Sequence, residues 1–218
     1  MMPHRGVTRV ATAATAMTLA LTLLHACTTT AGSRPRLCVA KTQQELMDAL
    51  QTPECLRLRV ERFDLHFTPD VQQLLAEKPL VSLALSGTTI QDGDLGFLSA
   101  VLEGREDLES LLLWGNRGLD GPALVALVAG VLRTSPKLRH LTVSDNKFDA
   151  DGGDMTVLID AMRSSTITKL VLTDNGITPA SMAALAGALG DMSLTSLEIS
   201  CESKRLLATA LAWAKKQR

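Results

Sequence analysis

The sequence predicts an α/β solenoid, with parallel strands on its concave side, helices on its convex side, about six repeated units and a cap at each end. Three observations lead there. A stretch at 138–148, LRHLTVSDNKF, returns twenty-nine residues later as ITKLVLTDNGI and appears thirty residues earlier as LESLLLWGN. Each copy follows one grammar: aliphatic, two variable, aliphatic, one variable, aliphatic, two variable, Asn. The segment after each Asn is apolar at helical spacing. Self-similarity at such a period decides the architecture, because one strand and one helix cannot bury their apolar faces alone whereas stacked units can.

The repeat has a local logic. In LTVS, Leu141 and Val143 point one way while His140, Thr142 and Ser144 point the other, as in a strand with one buried face. Asn116, Asn146 and Asn175 then turn the chain, their side chains placed to bond free backbone groups of the tight turn. In MTVLIDAM, Met155, Leu158, Ile159 and Met162 share a helix face.

From the N-terminus, residues 1–26 read as a secretory signal. Arg5 and Arg9 are followed by an uncharged run from 10 to 24 and then by LHAC. That ending resembles a bacterial lipobox, with Leu24 at −3, Ala26 at −1 and Cys27 as the residue to be lipidated; His25 stands where a small residue is usual. Ordinary cleavage near Ala26 or Ala31, or an uncleaved anchor, are the other readings. The resemblance implies a membrane attachment by lipid such as palmitate, and Thr28, rather than Asp, after the cysteine points to the outer membrane or periplasm. Residues 27–36 continue as a small, polar tether. At ~5–6 Å × √n, its eight residues from 28 to 35 reach roughly 15 Å, which would keep the domain close to its membrane.

Residues 37–54 are expected to cap the open end. LCVA forms a short strand, and TQQELMDALQ a helix, with Thr42 and Glu45 at capping-box spacing and Leu46, Ala49 and Leu50 on one face. Repeats occupy 55–202, beginning at Cys55, Leu80, Leu108, Leu138, Ile167 and Leu194, spaced by 25, 28, 30, 29 and 27 residues. Phe63, Thr88 and Glu202 take the Asn position in the first, second and sixth. Departures at the ends suit atypical terminal repeats. Thr178 and Pro179 make a cap and first-turn pair. A last helix within 203–218, carrying Leu206, Leu207, Leu211 and Trp213 and ending in KKQR, should close the C-terminal side.

These motifs make the chain similar to leucine-rich repeat proteins over residues 55–218, and NGITPASMAALAGALGDMSLTSL is similar to the ribonuclease-inhibitor class. That resemblance implies a full helix on the convex side of each unit. It also implies a non-catalytic role in protein binding through the concave face or, alternatively, inhibition or regulation of an enzyme.

Three cysteines remain if Cys27 is lipidated. Cys38 and Cys55 fall in adjacent expected strands, and strands 4.7–4.9 Å apart suit the Cα separation of a disulfide. Cys201, five strands away, cannot reach them and would be free. The other reading is three reduced cysteines packed as small apolar residues.

Composition bounds the function. The chain has 22 basic and 23 acidic residues, no Tyr and only 3% aromatics. Removing 1–26 takes away Arg5 and Arg9 from the 22 basic residues and none of the 23 acidic ones, for a net of about −3. This argues against a nucleic-acid surface. His66 and His140 have no ligand partners at metal spacing, and no phosphate loop, dinucleotide fingerprint or nucleophile elbow occurs. No cofactor or metal is expected. Asp145 and Asp174, at equal phase before their Asn residues, read as solvated turn acids rather than a catalytic pair. An enzyme would need an unfamiliar site, such as one gathering His140, Ser144 and Asp145.

Strand phase gives three rows on the concave face. The first runs Arg57, Ser82, Ser110, His140, Lys169, Ser196; the second, Arg59, Ala84, Leu112, Thr142, Val171, Glu198. The third runs Glu61, Ser86, Trp114, Ser144, Thr173, Ser200. Most are small and polar. Leu112 and Trp114 stand out, and an outward Trp is a frequent binding anchor. The expected partner-binding set is Leu112, Trp114, His140, Thr142, Lys169 and Val171, on a monomeric arc that meets a protein ligand.

Overall fold

The computed structural model describes residues 35–119, 121–148 and 155–200. The signal at 1–26, the lipidation residue Cys27, the tether from 28 to 34, Cys201, Glu202 and the closing helix lie outside the described residues.

Alternation in the sequence becomes strand and helix in turn. Among the described residues seven strands alternate with six helices: β1 (Leu37–Ala40), α1 (Gln43–Gln51), β2 (Arg57–Glu61), α2 (Pro69–Glu77), β3 (Ser82–Ser86), α3 (Asp92–Leu102), β4 (Ser110–Trp114), α4 (Gly121–Thr134), β5 (His140–Ser144), α5 (Met155–Arg163), β6 (Lys169–Leu172), α6 (Pro179–Ala188) and β7 (Ser196–Ile199). One sheet takes them in chain order, every pair parallel. Sequential parallel order with short right-handed crossovers places every helix against the same sheet face. The other face is left open. This is the leucine-rich repeat architecture, and β1 with α1 forms its N-terminal edge.

The register lines the strand leucines up in one interior column. Leu58, Leu83, Leu111, Leu141, Leu170 and Leu197 stand in one row across β2–β7. The first five are buried and Leu197, on the last strand, is partly so. Leu46, Ala49 and Leu50 of α1 and Met155, Leu158, Ile159 and Met162 of α5 are buried from the helix side. No described helix is long and apolar enough to cross a membrane.

The caps follow the expected chemistry with one change. Thr178 accepts from the Ser181 amide at 3.2 Å ahead of Pro179. Thr42 accepts from the Glu45 amide at 3.2 Å, but the Glu45 carboxylate reaches past Thr42 to accept from the Lys41 N–H at 2.7 Å. The box is therefore one residue wider than expected.

The asparagines stitch repeats together more than they close their own turns. Asn146 accepts from the Asn116 N–H at 2.8 Å and donates to the Leu113 carbonyl at 2.8 Å, both in the preceding repeat. Asn175 does the same to the Asn146 N–H and the Val143 carbonyl, and Asn116 to Thr88 and the Leu85 carbonyl. Among the described residues only Asn146 also bonds a carbonyl of its own turn, that of Ser144. The reason is stacking: parallel strands lie about 4.8 Å apart, so a buried amide side chain spans one step. Thr88, at the Asn position of the second unit, ends the ladder by donating its hydroxyl to Asn116 at 2.7 Å.

The residue before each ladder position adopts a left-handed backbone: Arg62, Gly87, Gly115, Asp145 and Asp174, with φ from 55° to 64°. Gly and Asp adopt this conformation readily, whereas for Arg it is costly. Asp145 and Asp174 are thus turn formers. Both are exposed and no hydrogen bond joins them among the described residues; Asp174 accepts from Ser200.

Candidate functional site

The site begins with side-chain size on three neighbouring strands. Strand β3 offers only Ser82, Ala84 and Ser86 to the open face, while β2 offers Arg57, Arg59 and Glu61 and β4 offers Leu112 and Trp114. Small residues between long ones leave a trough. Strands two steps apart stand about 9.6 Å from each other, so long side chains on β2 and β4 can wall it from both sides.

The result is a pocket of about 270 Å³. Trp114 and Leu112 form its apolar side, and Thr142 extends that side onto β5. Arg59, Glu61 and Arg62 form the charged side, with Ser86 between them. Trp114 is 45% exposed, one of three large hydrophobic residues left so open among the described residues. The other two, Leu37 and Val39 at 52% and 41%, pair in register with Arg57 and Arg59 and continue the same face onto β1.

The charges are arranged unevenly. Arg59 Nη1 lies 3.6 Å from Glu61 Oε1. Arg62 is exposed and makes no ion pair among the described residues. Its stem runs beside Gly87, with Cγ 3.4 Å from where a Cβ would stand on that glycine.

Of the six residues expected to meet a partner, the pocket gathers Leu112, Trp114 and Thr142. His140 and Lys169 are exposed in the first row, outside it, and Val171 is only 8% exposed. Row position tells which way a side chain points but not whether its neighbours are tall enough to cover it. Arg59, Glu61, Arg62 and Ser86 were not in the expected set. The signal that finds them is the run of small residues on β3 beside the long ones on β2.

Nothing gathers His140, Ser144 and Asp145 into one constellation. Ser144 is buried and accepts from the Thr173 hydroxyl at 2.9 Å. His140 lies four residues away along the strand, about 13 Å at the usual rise. Among the described residues no group of three His, Cys, Asp or Glu could hold a metal ion.

At the N-terminal edge the sulfurs of Cys38 and Cys55 lie at disulfide distance, with Cα atoms 5.8 Å apart, although Cys55 sits two residues ahead of β2 rather than in a strand and Cys38 of β1 pairs in register with Leu58. Nearby, Lys78 is only 6% exposed. Its ammonium donates to the carbonyls of Ala49, Leu50 and Thr52 at the end of α1. Burial pushes its pKa below the ordinary lysine value, with Glu54 opposing the shift. Arg105 repeats the device, donating to the carbonyls of Leu75 and Lys78 at the end of α2 and to Val101.

Comparison with known proteins agrees with the repeat reading. The Leucine Rich repeat family model matches residues 134–155 and 163–186. Human NACHT, LRR and PYD domains-containing protein 5 is 32% identical over 170 residues, which is 75% of this chain. The chain spans 14% of that protein's length. The tropomodulin C-terminal domain from Caenorhabditis elegans has a TM-score of 0.43 at 12% identity, over 81% of this chain and 93% of its own. Leiomodin-1 Actin-Binding Site 2 has a TM-score of 0.44 at 14% identity, over 80% and 86%.

Proposed function

We propose that this leucine-rich repeat chain is an exported, non-catalytic binding module that meets a protein partner through the open face of its sheet. The observation that carries the reading is Trp114, nearly half exposed beside Leu112 at the wall of a preformed trough. A large aromatic in that position costs solubility unless something covers it, and such residues dominate binding energy at interfaces. Export rests on the signal at 1–26. Lipidation of Cys27 would hold the domain near its membrane through the short tether, and a Cys38–Cys55 bridge suits an oxidising compartment.

Photocrosslinking tests the binding face. A crosslinking residue at Thr142, on the open face, should capture a partner in native membranes, while one at Gln73, exposed on α2, should not. Equal capture from both positions would place the partner elsewhere. Palmitate labelling in a bacterial host tests the anchor: the native chain should incorporate label and Cys27→Ser should not.

A further inference from the structure

We infer that the trough recognises a segment of a partner protein in which a carboxylate side chain neighbours a large apolar one. This deepens the reading above and rests on it. The apolar group would lie on Trp114 and Leu112, and the carboxylate would meet Arg62, with Arg59 beside it. Three observations carry the inference.

Arg62 occupies a costly position. At the equivalent turn, later repeats place Gly87, Gly115, Asp145 and Asp174, residues that accept the left-handed backbone, whereas Arg62 holds φ at 59°. Strain of this kind persists where the side chain has a use, and it clusters at ligand sites. Here it sets a guanidinium on the rim of the same pocket that Trp114 walls.

The charge suits one carboxylate rather than an extended polyanion. Arg59 and Arg62 oppose Glu61, which already engages Arg59 at 3.6 Å. One guanidinium is left to form the planar, two-point contact that arginine makes with a carboxylate. A nucleic acid or anionic bilayer needs a broad cationic stripe. Beyond this corner the open face carries Arg57 and Lys169 against Glu198, with His140 and smaller residues between. The size agrees as well: about 270 Å³ takes one or two side chains, not a folded element.

The test is a phage-displayed random twelve-residue peptide library panned on the full chain, with selected peptides then measured on Trp114→Ala, Arg62→Gln and Arg62→Gly. The expected result is enrichment of Asp or Glu within two residues of a large apolar residue. Affinity should fall about tenfold or more in each variant, as loss of a charge-assisted hydrogen bond or a buried anchor does. Arg62→Gly relieves the backbone while removing the guanidinium, so a loss of affinity there with urea stability kept or raised is a loss of the contact and not of folding. Enriched peptides that lack acids but depend on Trp114 would overturn the carboxylate inference and leave the open-face reading standing. Peptides indifferent to all three variants, or no enrichment at all, would overturn both. Sedimentation with phosphatidylglycerol vesicles, if lost in Arg62→Gln with no acidic peptide enriched, would assign the corner to a membrane and overturn the inference.

Discussion

The middle of this solenoid and its N-terminal end solve the same problem with different groups. In the middle, Asn116, Asn146 and Asn175 are buried at the strand ends, and each bonds the backbone of the repeat before it. At the N-terminal end the column holds Phe63 and Thr88 instead, and no side-chain amide continues it. There the stitching moves to the other end of the unit. Lys78 and Arg105 reach back from one unit to the last carbonyls of the preceding helix, and Cys38 on β1 meets Cys55 just ahead of β2. Neutral amides bind parallel strands in register, their desolvation offset by the bonds they make. Buried cations cap helix dipoles but carry a charge into the interior. The difference teaches that inter-repeat bonding is required along the stack, while the residue type that supplies it is not.

The largest effect should come from the middle. Asn146→Ala removes the acceptor for the Asn116 N–H and the donor to the Leu113 carbonyl, both buried, and one of two donors to the Ser144 carbonyl, which keeps the Gly115 N–H. At about 1–3 kcal/mol for each buried group left unsatisfied, the cost should be about 4 kcal/mol. Thr88→Val, at the ladder's end, should cost about 1 kcal/mol because it removes one hydroxyl donor. Urea denaturation measures both. Equal losses would mean that the column does not act as a ladder.

Next is the cysteine pair. A bridge closing a 17-residue separation should contribute about 3 kcal/mol by restricting the unfolded chain. Reduction should add two hydrogens to the intact mass and lower the urea midpoint. Reductant that leaves both unchanged would show that the N-terminal end relies on its buried cations alone.

How much of this could be read beforehand differs along the same line. Strand phase and the Leu83–Leu197 column were legible because a period of two in the strand and a fixed repeat constrain side-chain direction. So were Thr42, Thr178 and the Cys38–Cys55 proximity, which follow from local spacing. Lys78 and Arg105 were not: a basic residue between elements normally reads as solvated, and only the packed helix ends show their carbonyl partners. The third repeat hid another feature. Its apolar position after Asn116 comes one residue late, at Leu119 rather than at 118, and Gly118 absorbs the extra residue at φ 82°. A Cβ there would stand 1.9 Å from the Ile90 carbonyl oxygen, so Gly is required. The pocket was half legible, because Trp114 is conspicuous in sequence while the emptiness beside it depends on Ala84 and Ser86 being short.

Lys78→Met sharpens the contrast between amide and cation. It takes a donor from the carbonyls of Ala49, Leu50 and Thr52, of which Ala49 and Thr52 keep the N–H groups of Thr52 and Cys55, but also removes a buried charge. The net loss should be about 2 kcal/mol, smaller than for Asn146 because the two terms oppose. The pH dependence has a definite sign. Burial holds the folded pKa of Lys78 below its ordinary 10.5. Between the lowered value and 10.5 the unfolded chain keeps a proton that the folded chain has released, so this group's contribution to stability rises with pH across that window. Below the window both states are charged and the contribution is flat. Parallel urea titrations of the native chain and Lys78→Met from neutral pH upward should show the rise only in the native chain. A rise of equal size in the variant would remove Lys78 as its source.

The smallest effect has the opposite sign and falls where the two regions meet. Arg62 precedes Phe63 in a turn built for Gly or Asp, and for an L-residue the left-handed conformation costs about 1–2 kcal/mol. Arg62→Gly removes that cost but frees the unfolded chain, which returns part of the gain. The chain should emerge about 0.5–1 kcal/mol more stable. Asp145→Gly in the ladder region should gain less, because Asp already tolerates φ of 55°. A stabilising change at Arg62 coupled to weaker peptide binding would mean that the N-terminal end gives up stability to hold a guanidinium at the trough. If Arg62→Gly instead destabilised the chain, the arginine stem beside Gly87 would be packing in the native fold, and its backbone conformation would need no ligand to explain it.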